Sequence, residues 1–293
     1  MTAVKEMAYA KVNLYLDVCA KRPDGFHDLN TVMHTLSLGD EVTVIMNGCS
    51  KRSIRLTVAD NRFLPTDSKN LAYLAAQMFM DRAGINADIS IKLRKRIPVG
   101  GGLGGGSADA AAVLRAMNRI FRRPFTDRAL FEMSKDLGSD VPFCLIGGTA
   151  VCNDRGERIE RVSTPPTLYS VIVNSGEHVS TPWAFKELDN AYNDFDGSIP
   201  SGGEERFAAF CSAIRDGRFD PSFAFNVFEE PILAKCRGAL ALKERLMAEG
   251  AYHAMMSGSG SSIFGLFSSR AEAETVEAKL RAEGVRAHFA CSI

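Results

Sequence analysis

The stretch Pro98-Val99-Gly100-Gly101-Gly102-Leu103-Gly104-Gly105-Gly106-Ser107-Ala108-Asp109-Ala110-Ala111-Ala112-Val113-Leu114 has six glycines in the seven positions 100–106 and runs straight into an alanine-rich segment with helical spacing. Glycine allows positive φ and close backbone approach, and the start of the following helix offers unpaired N–H groups and the positive end of its dipole. A phosphate is the usual guest of such a cradle. A Walker A loop would end in Gly-Lys-Ser/Thr, whereas Gly106 is followed by Ser107 and Ala108, so an ordinary P-loop is excluded. Gly100, Gly102 and Gly105 fit G-x-G-x-x-G, but a dinucleotide site also needs an acidic residue about 20 positions on at a strand end. Asp127 stands near that distance at the start of a helical pattern, which disfavours the dinucleotide reading. Pro98 stiffens the entry, which argues against a flexible linker.

Outward from the loop, Lys92, Arg94, Lys95 and Arg96 form a basic cluster just before it, expected to attract phosphates. The chain of 293 residues carries 35 basic and 35 acidic side chains, a balance that argues against a general nucleic-acid binder. With 46% hydrophobic residues it can build full cores for one large or two ordinary domains. The seven cysteines form no C-x-x-C pair and read as reduced, mostly buried thiols of a cytoplasmic protein. No apolar run approaches membrane-spanning length, so no membrane partner is expected.

Residues 8–19 alternate as a half-buried strand, setting Lys11 and Asn13 side by side on its polar face. Pro23-Asp24-Gly25 makes a turn before Phe26 and His27. Strands are expected near 29–38 and 41–47 with a Gly39-Asp40 turn between them, and near 53–58 and 87–93. Asp67 or Ser68 would cap a helix over 69–83. A helix starting near Ser107 would bury Ala111, Leu114, Met117 and Phe121, and another would run from a Thr126 cap to Gly138. In Gly138-Ser139-Asp140-Val141-Pro142-Phe143 a helix ends beside the Asp140 carboxylate. Pro231 would open one long helix reaching Gly250. Setting aside 178–228, read as helices plus a loop, the order from residue 168 onward is β-α-β-β-α-β, a ferredoxin-like split βαβ arrangement.

The strings at 10–16, 22–29, 98–107, 138–143 and 257–264 together resemble the GHMP kinase superfamily, whose motif P-x-x-x-G-L-G-S/G-S is matched from Pro98 to Gly105, with Ser107 following one position on, after Gly106. Within it they resemble the branch that phosphorylates a cytidine-diphosphate-linked methylerythritol in the non-mevalonate isoprenoid pathway. The resemblance implies an α+β, two-domain fold: a ribosomal-S5-like β/α domain over 1–160 and a ferredoxin-like domain over 161–293 with a helical insertion near 178–228. It also implies ATP with Mg²⁺ and a small-molecule substrate, in a monomer or weak homodimer. Lys11 and Asp140 would be the catalytic pair, Pro98 to Ala108 would hold the ATP phosphates, and Ser107 would face the metal. Asn13, Gly258 and Ser259 would line the substrate, His27 and Phe26 would read cytosine, and Phe185 would stack on it. His34, His178, His253 and His288 are left as structural or surface residues. Two departures from the pattern are Ala108, where many members have a second serine, and Tyr9, where many have proline. A mevalonate- or homoserine-type kinase and a non-enzymatic binding module on the same scaffold remain open alternatives.

Overall fold

The computed structural model describes residues 1–21, 27–49, 51–59, 63–154, 156, 158–162, 166–191 and 202–293. In chain order the elements are β1 (Thr2–Lys21), β2 (His27–Gly48), β3 (Ser53–Ala59), α1 (Leu71–Ala83), β4 (Asp88–Arg94), α2 (Gly105–Ile120), α3 (Asp127–Lys135), α4 (Val141–Ile146), β5 (Thr149–Asn153) and β6 (Arg158–Arg161). They continue with β7 (Tyr169–Asn174), α5 (Thr181–Ala191), α6 (Gly203–Arg215), β8 (Phe225–Asn226), α7 (Glu229–Leu233), α8 (Arg237–Ala248), β9 (His253–Met256), β10 (Ile263–Phe267), α9 (Arg270–Ala282) and β11 (Arg286–Cys291). Two compact units result, one of Met1–Ala10, Gly39–Ile97 and Gly104–Gly147, the other of Lys11–Leu38, Pro98–Leu103 and Gly148–Ile293. Among the described residues no helix is long and apolar enough to cross a membrane.

In the first unit, β3 runs parallel to β4, and β4 pairs antiparallel with the second half of β2, from Glu41 opposite Arg94 to Gly48 opposite Asp88. Helices α1 and α2 pack on each other, and α2 also packs on α4. Alanine suits α2 twice over, because it is the best helix former and its small side chain admits close neighbours. Ala108, Ala110, Ala111, Ala112 and Ala116 are accordingly all buried in one core with Phe79, Ile89, Ile91 and Leu114. Phe121 lies just beyond the helix, half-buried rather than fully covered, with its ring stacked against Phe79.

Two sequence expectations fail here for physical reasons. Gly39 and Asp40 do not turn the chain; they lie inside β2, one continuous strand. The Asp40 carboxylate is fully buried and accepts from the Arg96 and Ile97 N–H groups, at 2.5 and 2.8 Å, and from Lys95. Helix α1 is capped by Asn70, whose side chain accepts from Ala72 N, while Asp67 closes a tighter turn onto Lys69 N.

In the second unit, the first half of β2 pairs antiparallel with β5, β5 pairs with β6, and β1 meets β8 in parallel at Tyr15–Phe225 and Leu16–Asn226. A separate sheet has the order β11-β7-β10-β9, antiparallel throughout. With α8 joining β7 to β9 and α9 joining β10 to β11, this is the expected split βαβ arrangement. Val171, Val173, Ile263 and Phe267 face a core shared with Leu246 of α8 and Leu280 of α9. The single long helix expected from Pro231 is instead α7, with Pro231 as its third residue, and a separate α8. The break is stabilised from a distance: Glu177 accepts from the Gly238 and Ala239 N–H groups at 3.2 and 2.9 Å, satisfying the donors of a new helix start. None of the seven cysteines is joined in a disulfide, and of them Cys152, Cys211 and Cys236 are buried.

His34 is fully buried between hydroxyls, Nδ1 at 2.6 Å from Thr149 Oγ1 and Nε2 at 2.8 Å from Ser292 Oγ. Burial pushes its imidazole down to about 4, below the ordinary 6.5. Between those values the unfolded chain binds a proton that the folded chain refuses, so the stabilisation is complete above pH 6.5 and is lost as pH falls toward 4. Lowering the pH from 7 to 5 is expected to cost about 2 kcal/mol through this residue. Urea unfolding of wild type and His34→Gln at both pH values measures it; equal pH dependence would relieve His34 of the role.

Candidate active site

The alternation of β1 places Lys11 and Asn13 on one face, and both are buried in the second unit. Lys11 Nζ donates to Asn13 Oδ1 at 2.8 Å, Asn13 Nδ2 donates to Thr31 Oγ1 at 2.8 Å, and Thr31 donates to Tyr15 O at 2.7 Å. This chain fixes which end of the amide faces the ammonium. Thr31 went unnoticed in the sequence, because only the pairing of strands brings it to residues 11–15. Further along β1, burial pushes the Asp17 carboxyl up to about 6, against the backbone N–H groups of Val18 and Gly202 that bind it.

The first arm of the glycine loop docks on the same elements. Leu103 O accepts from Lys11 N at 3.0 Å, Gly102 O from Ser257 Oγ at 3.0 Å, and Gly101 O from Ser262 N at 3.2 Å. Neither Gly101 nor Gly102 has room for a side chain: a Cβ would overlap Ser262 Oγ in the first case and the Ser257 carbonyl oxygen in the second. Gly258 lies where a Cβ would begin 3.4 Å from Lys11 Nζ and 3.0 Å from Gly102 O. Asn226 Nδ2 holds the 257–262 turn by donating to both Met256 O and Gly258 O at 2.8 Å. Ser259 Oγ is 3.4 Å from Thr181 Oγ1 on α5. Three segments remote in sequence thus meet in one unit, and Asn226 and Thr181 join them without any local sequence signal. His178, assigned no role by its setting in the sequence, brings its ring atoms Cδ2 and Nε2 to 3.0 and 3.2 Å from where a side chain at Gly100 would begin.

The second arm belongs to the first unit. Gly104 is the N-cap of α2 in the left-handed region and provides no side-chain cap, so the first-turn N–H groups of this 16-residue helix suit an anion. Ser107 is half-buried in that turn, while the Ala108 methyl points into the core. Asp140 does not end a helix. It is the N-cap of α4, because Pro142 lacks an N–H and fits a first turn, while Val141 and Phe143 anchor the helix in the interior. Its side chain makes no capping bond to that helix. The basic cluster is also not what its sequence suggests. Lys95 is buried between Asp40 and Asp109, and Arg94 and Arg96 both approach Glu41.

His27 Nε2 lies 3.3 Å from Asp189 Oδ1, and its ring stacks on Phe185 with centroids 4.6 Å apart and an 18° interplanar angle. Phe185 also meets Phe228 edge-on at 4.9 Å. A base cannot lie between rings so close, so it would extend the stack from its side. Phe26 lies outside the described residues. Among the described residues no three His, Cys, Asp or Glu side chains gather as a metal site.

A glycine arm docked on the strand of a buried lysine and on a small-residue turn in the second unit, and an anion-type helix start in the first, define a class. The family description "GHMP kinases N terminal domain" matches residues 70–148 and "GHMP kinases C terminal" matches residues 205–286. A 4-diphosphocytidyl-2-C-methyl-D-erythritol kinase from Bacillus subtilis (strain 168) is 36% identical over 281 residues, 95% of this chain and 93% of its own. The protein of the same name from Geobacillus thermodenitrificans is 39% identical over 263 residues, 88% of this chain and 86% of its own. A crystal structure of 4-(cytidine 5'-diphospho)-2C-methyl-D-erythritol kinase superposes with a TM-score of 0.78 at 32% identity, covering 98% of both chains. The chain belongs to this family of GHMP kinases, which are ATP-dependent phosphotransferases.

Proposed function

We propose that this chain transfers the γ-phosphoryl group of ATP to the 2-hydroxyl of 4-diphosphocytidyl-2-C-methyl-D-erythritol, releasing ADP, in the non-mevalonate isoprenoid pathway. The names of relatives 36% and 39% identical over most of the chain support the substrate. The observation that carries the chemistry is the position of Lys11. Its backbone N–H holds the glycine loop at Leu103, and its ammonium is held by Asn13 beside Gly258.

In this reading Lys11 lowers the cost of charge developing on the attacking oxygen, and Asp140 accepts the hydroxyl proton. Asn13 orients the hydroxyl, and Gly258 and Ser259 line the substrate beside it. An aspartate base suffices, because a loose phosphoryl-transfer transition state demands alignment and charge compensation more than early deprotonation. The run from Pro98 to Ala108 holds the phosphates through the backbone N–H groups of Val99 to Ser107, since Pro98 has none and Ala108 donates to Gly104 O. Mg²⁺ would arrive on the nucleotide, with Ser107 as the protein's oxygen, since this ion binds through few protein groups and keeps several waters. At the other end of the substrate, His27 and Phe26 read the cytosine and Phe185 stacks on it. The division near residue 160 into an ATP-binding part and a ferredoxin-like part is part of the same reading.

A coupled assay of ADP release tests it with the cytidyl substrate, mevalonate and homoserine in parallel. Turnover is expected with the first alone. Good turnover with either of the others and none with the first would overturn the assignment.

A further inference from the structure

Three charged side chains outside the residues assigned above are buried together in the first unit. Lys95 Nζ lies 2.6 Å from Asp109 Oδ2 and also bonds Asp40, with all three groups almost wholly removed from solvent. Asp40 Oδ1 simultaneously takes the N–H groups of Arg96 and Ile97, the last residues before the glycine loop. Asp109 stands on the second turn of α2, the helix that leaves the loop. Where Gly105 opens that helix, a side chain would begin 3.4 Å from Lys95 Nζ and 3.2 Å from Ile97 Cγ2. One ammonium therefore ties the entry of the loop to its exit, directly beneath the first turn of α2. Two carboxylates against one ammonium leave an excess negative charge; among the described residues Asp109 Oδ1 has no hydrogen-bond partner, and burial pushes this carboxyl up to about 7 although Lys95 pulls it down.

We propose that Lys95 is a positioning residue for ATP binding: acting through Asp40 and Asp109, it fixes the two ends of the glycine loop at the spacing the phosphates require. The inference rests on the reading of that loop as the ATP-phosphate site. A buried ion pair contributes little net stability against an apolar replacement, but removal of one partner leaves uncompensated charge and is costly. Lys95→Met is therefore expected to raise KM for ATP tenfold or more, with kcat changed less than threefold and KM for the cytidyl substrate unchanged. The double variant Lys95→Met/Asp109→Asn restores the original charge of the cluster and leaves Asp40 on its two N–H groups. It is expected to recover KM for ATP to within threefold of wild type.

An unchanged KM in folded Lys95→Met would overturn the proposal by making the cluster merely structural. A double variant as impaired as the single one would overturn it too, because Lys95 would then act on the nucleotide itself. Should Lys95→Met fail to fold, Asp40→Asn carries the test. It keeps the acceptor for Arg96 and Ile97 but turns a donor toward Lys95, and KM for ATP is expected to rise threefold or more; no rise would overturn the proposal. Failure of the loop reading is distinguishable, because it shows in wild type as absence of ATP-dependent ADP release.

Discussion

Asp140→Asn is expected to lose roughly 10²-fold or more in kcat while KM for ATP and for the cytidyl substrate stays within a few-fold. That loss corresponds to about 3 kcal/mol of transition-state stabilisation. The substitution is nearly isosteric, and the helix that follows takes no side-chain capping bond from residue 140. Residue 140 has φ −86° and ψ −13°, values open to asparagine, and the helix it precedes is held by buried Val141 and Phe143 rather than by a side-chain cap. Asparagine is in any case a favoured N-cap residue. What disappears is the ability to take a proton. Steady-state kinetics with a thermal melt decide the matter: a normal kcat in a folded variant removes Asp140 from the chemistry.

Sequence reading reached as far as local periodicity and turn chemistry carry information. The glycine run, the alanine helix and the β-α-β-β-α-β order are local patterns, and the structure contains them. Gly39-Asp40 misled because a turn dipeptide and a buried acceptor look alike until residues 95–97 are brought alongside. The same holds for the break between α7 and α8, where the stabilising carboxylate of Glu177 lies about 60 residues away, as its bond to Gly238 records. At the site, Lys11 and Asn13 were legible because strand alternation alone puts them side by side. Thr31, Asn226 and Asp189 were not, since each reaches its partner only through tertiary pairing. Lys95 is the instructive reversal: read as part of a basic cluster that attracts phosphates, its ammonium is buried against two carboxylates, because its partners Asp40 and Asp109 are 55 and 14 residues away.

Gly102→Ala is expected to lower kcat/KM for ATP by about 100-fold or more while the cores of both units survive. Two separate obstacles meet at this position. The backbone has φ +74°, where an alanine costs about 1–2 kcal/mol. In addition, the new methyl would overlap the Ser257 carbonyl oxygen and begin 3.1 Å from Gly260 N, both backbone atoms that no rotamer change can move aside. Relief requires the loop arm to withdraw from the 257–262 turn, breaking the Ser257 Oγ bond to Gly102 O and pulling on Leu103, which Lys11 holds. Displacement of a positioning group by about 1 Å is enough for a 10²-fold loss. Gly84→Ala separates the two obstacles. Gly84 has φ +63° but open space around it, so this variant is expected to cost about 1 kcal/mol in stability and leave kcat/KM unchanged. If Gly102→Ala behaves like Gly84→Ala, with a small loss of stability and normal kinetics, the docking of the glycine loop on the serine-rich turn is dispensable for ATP use.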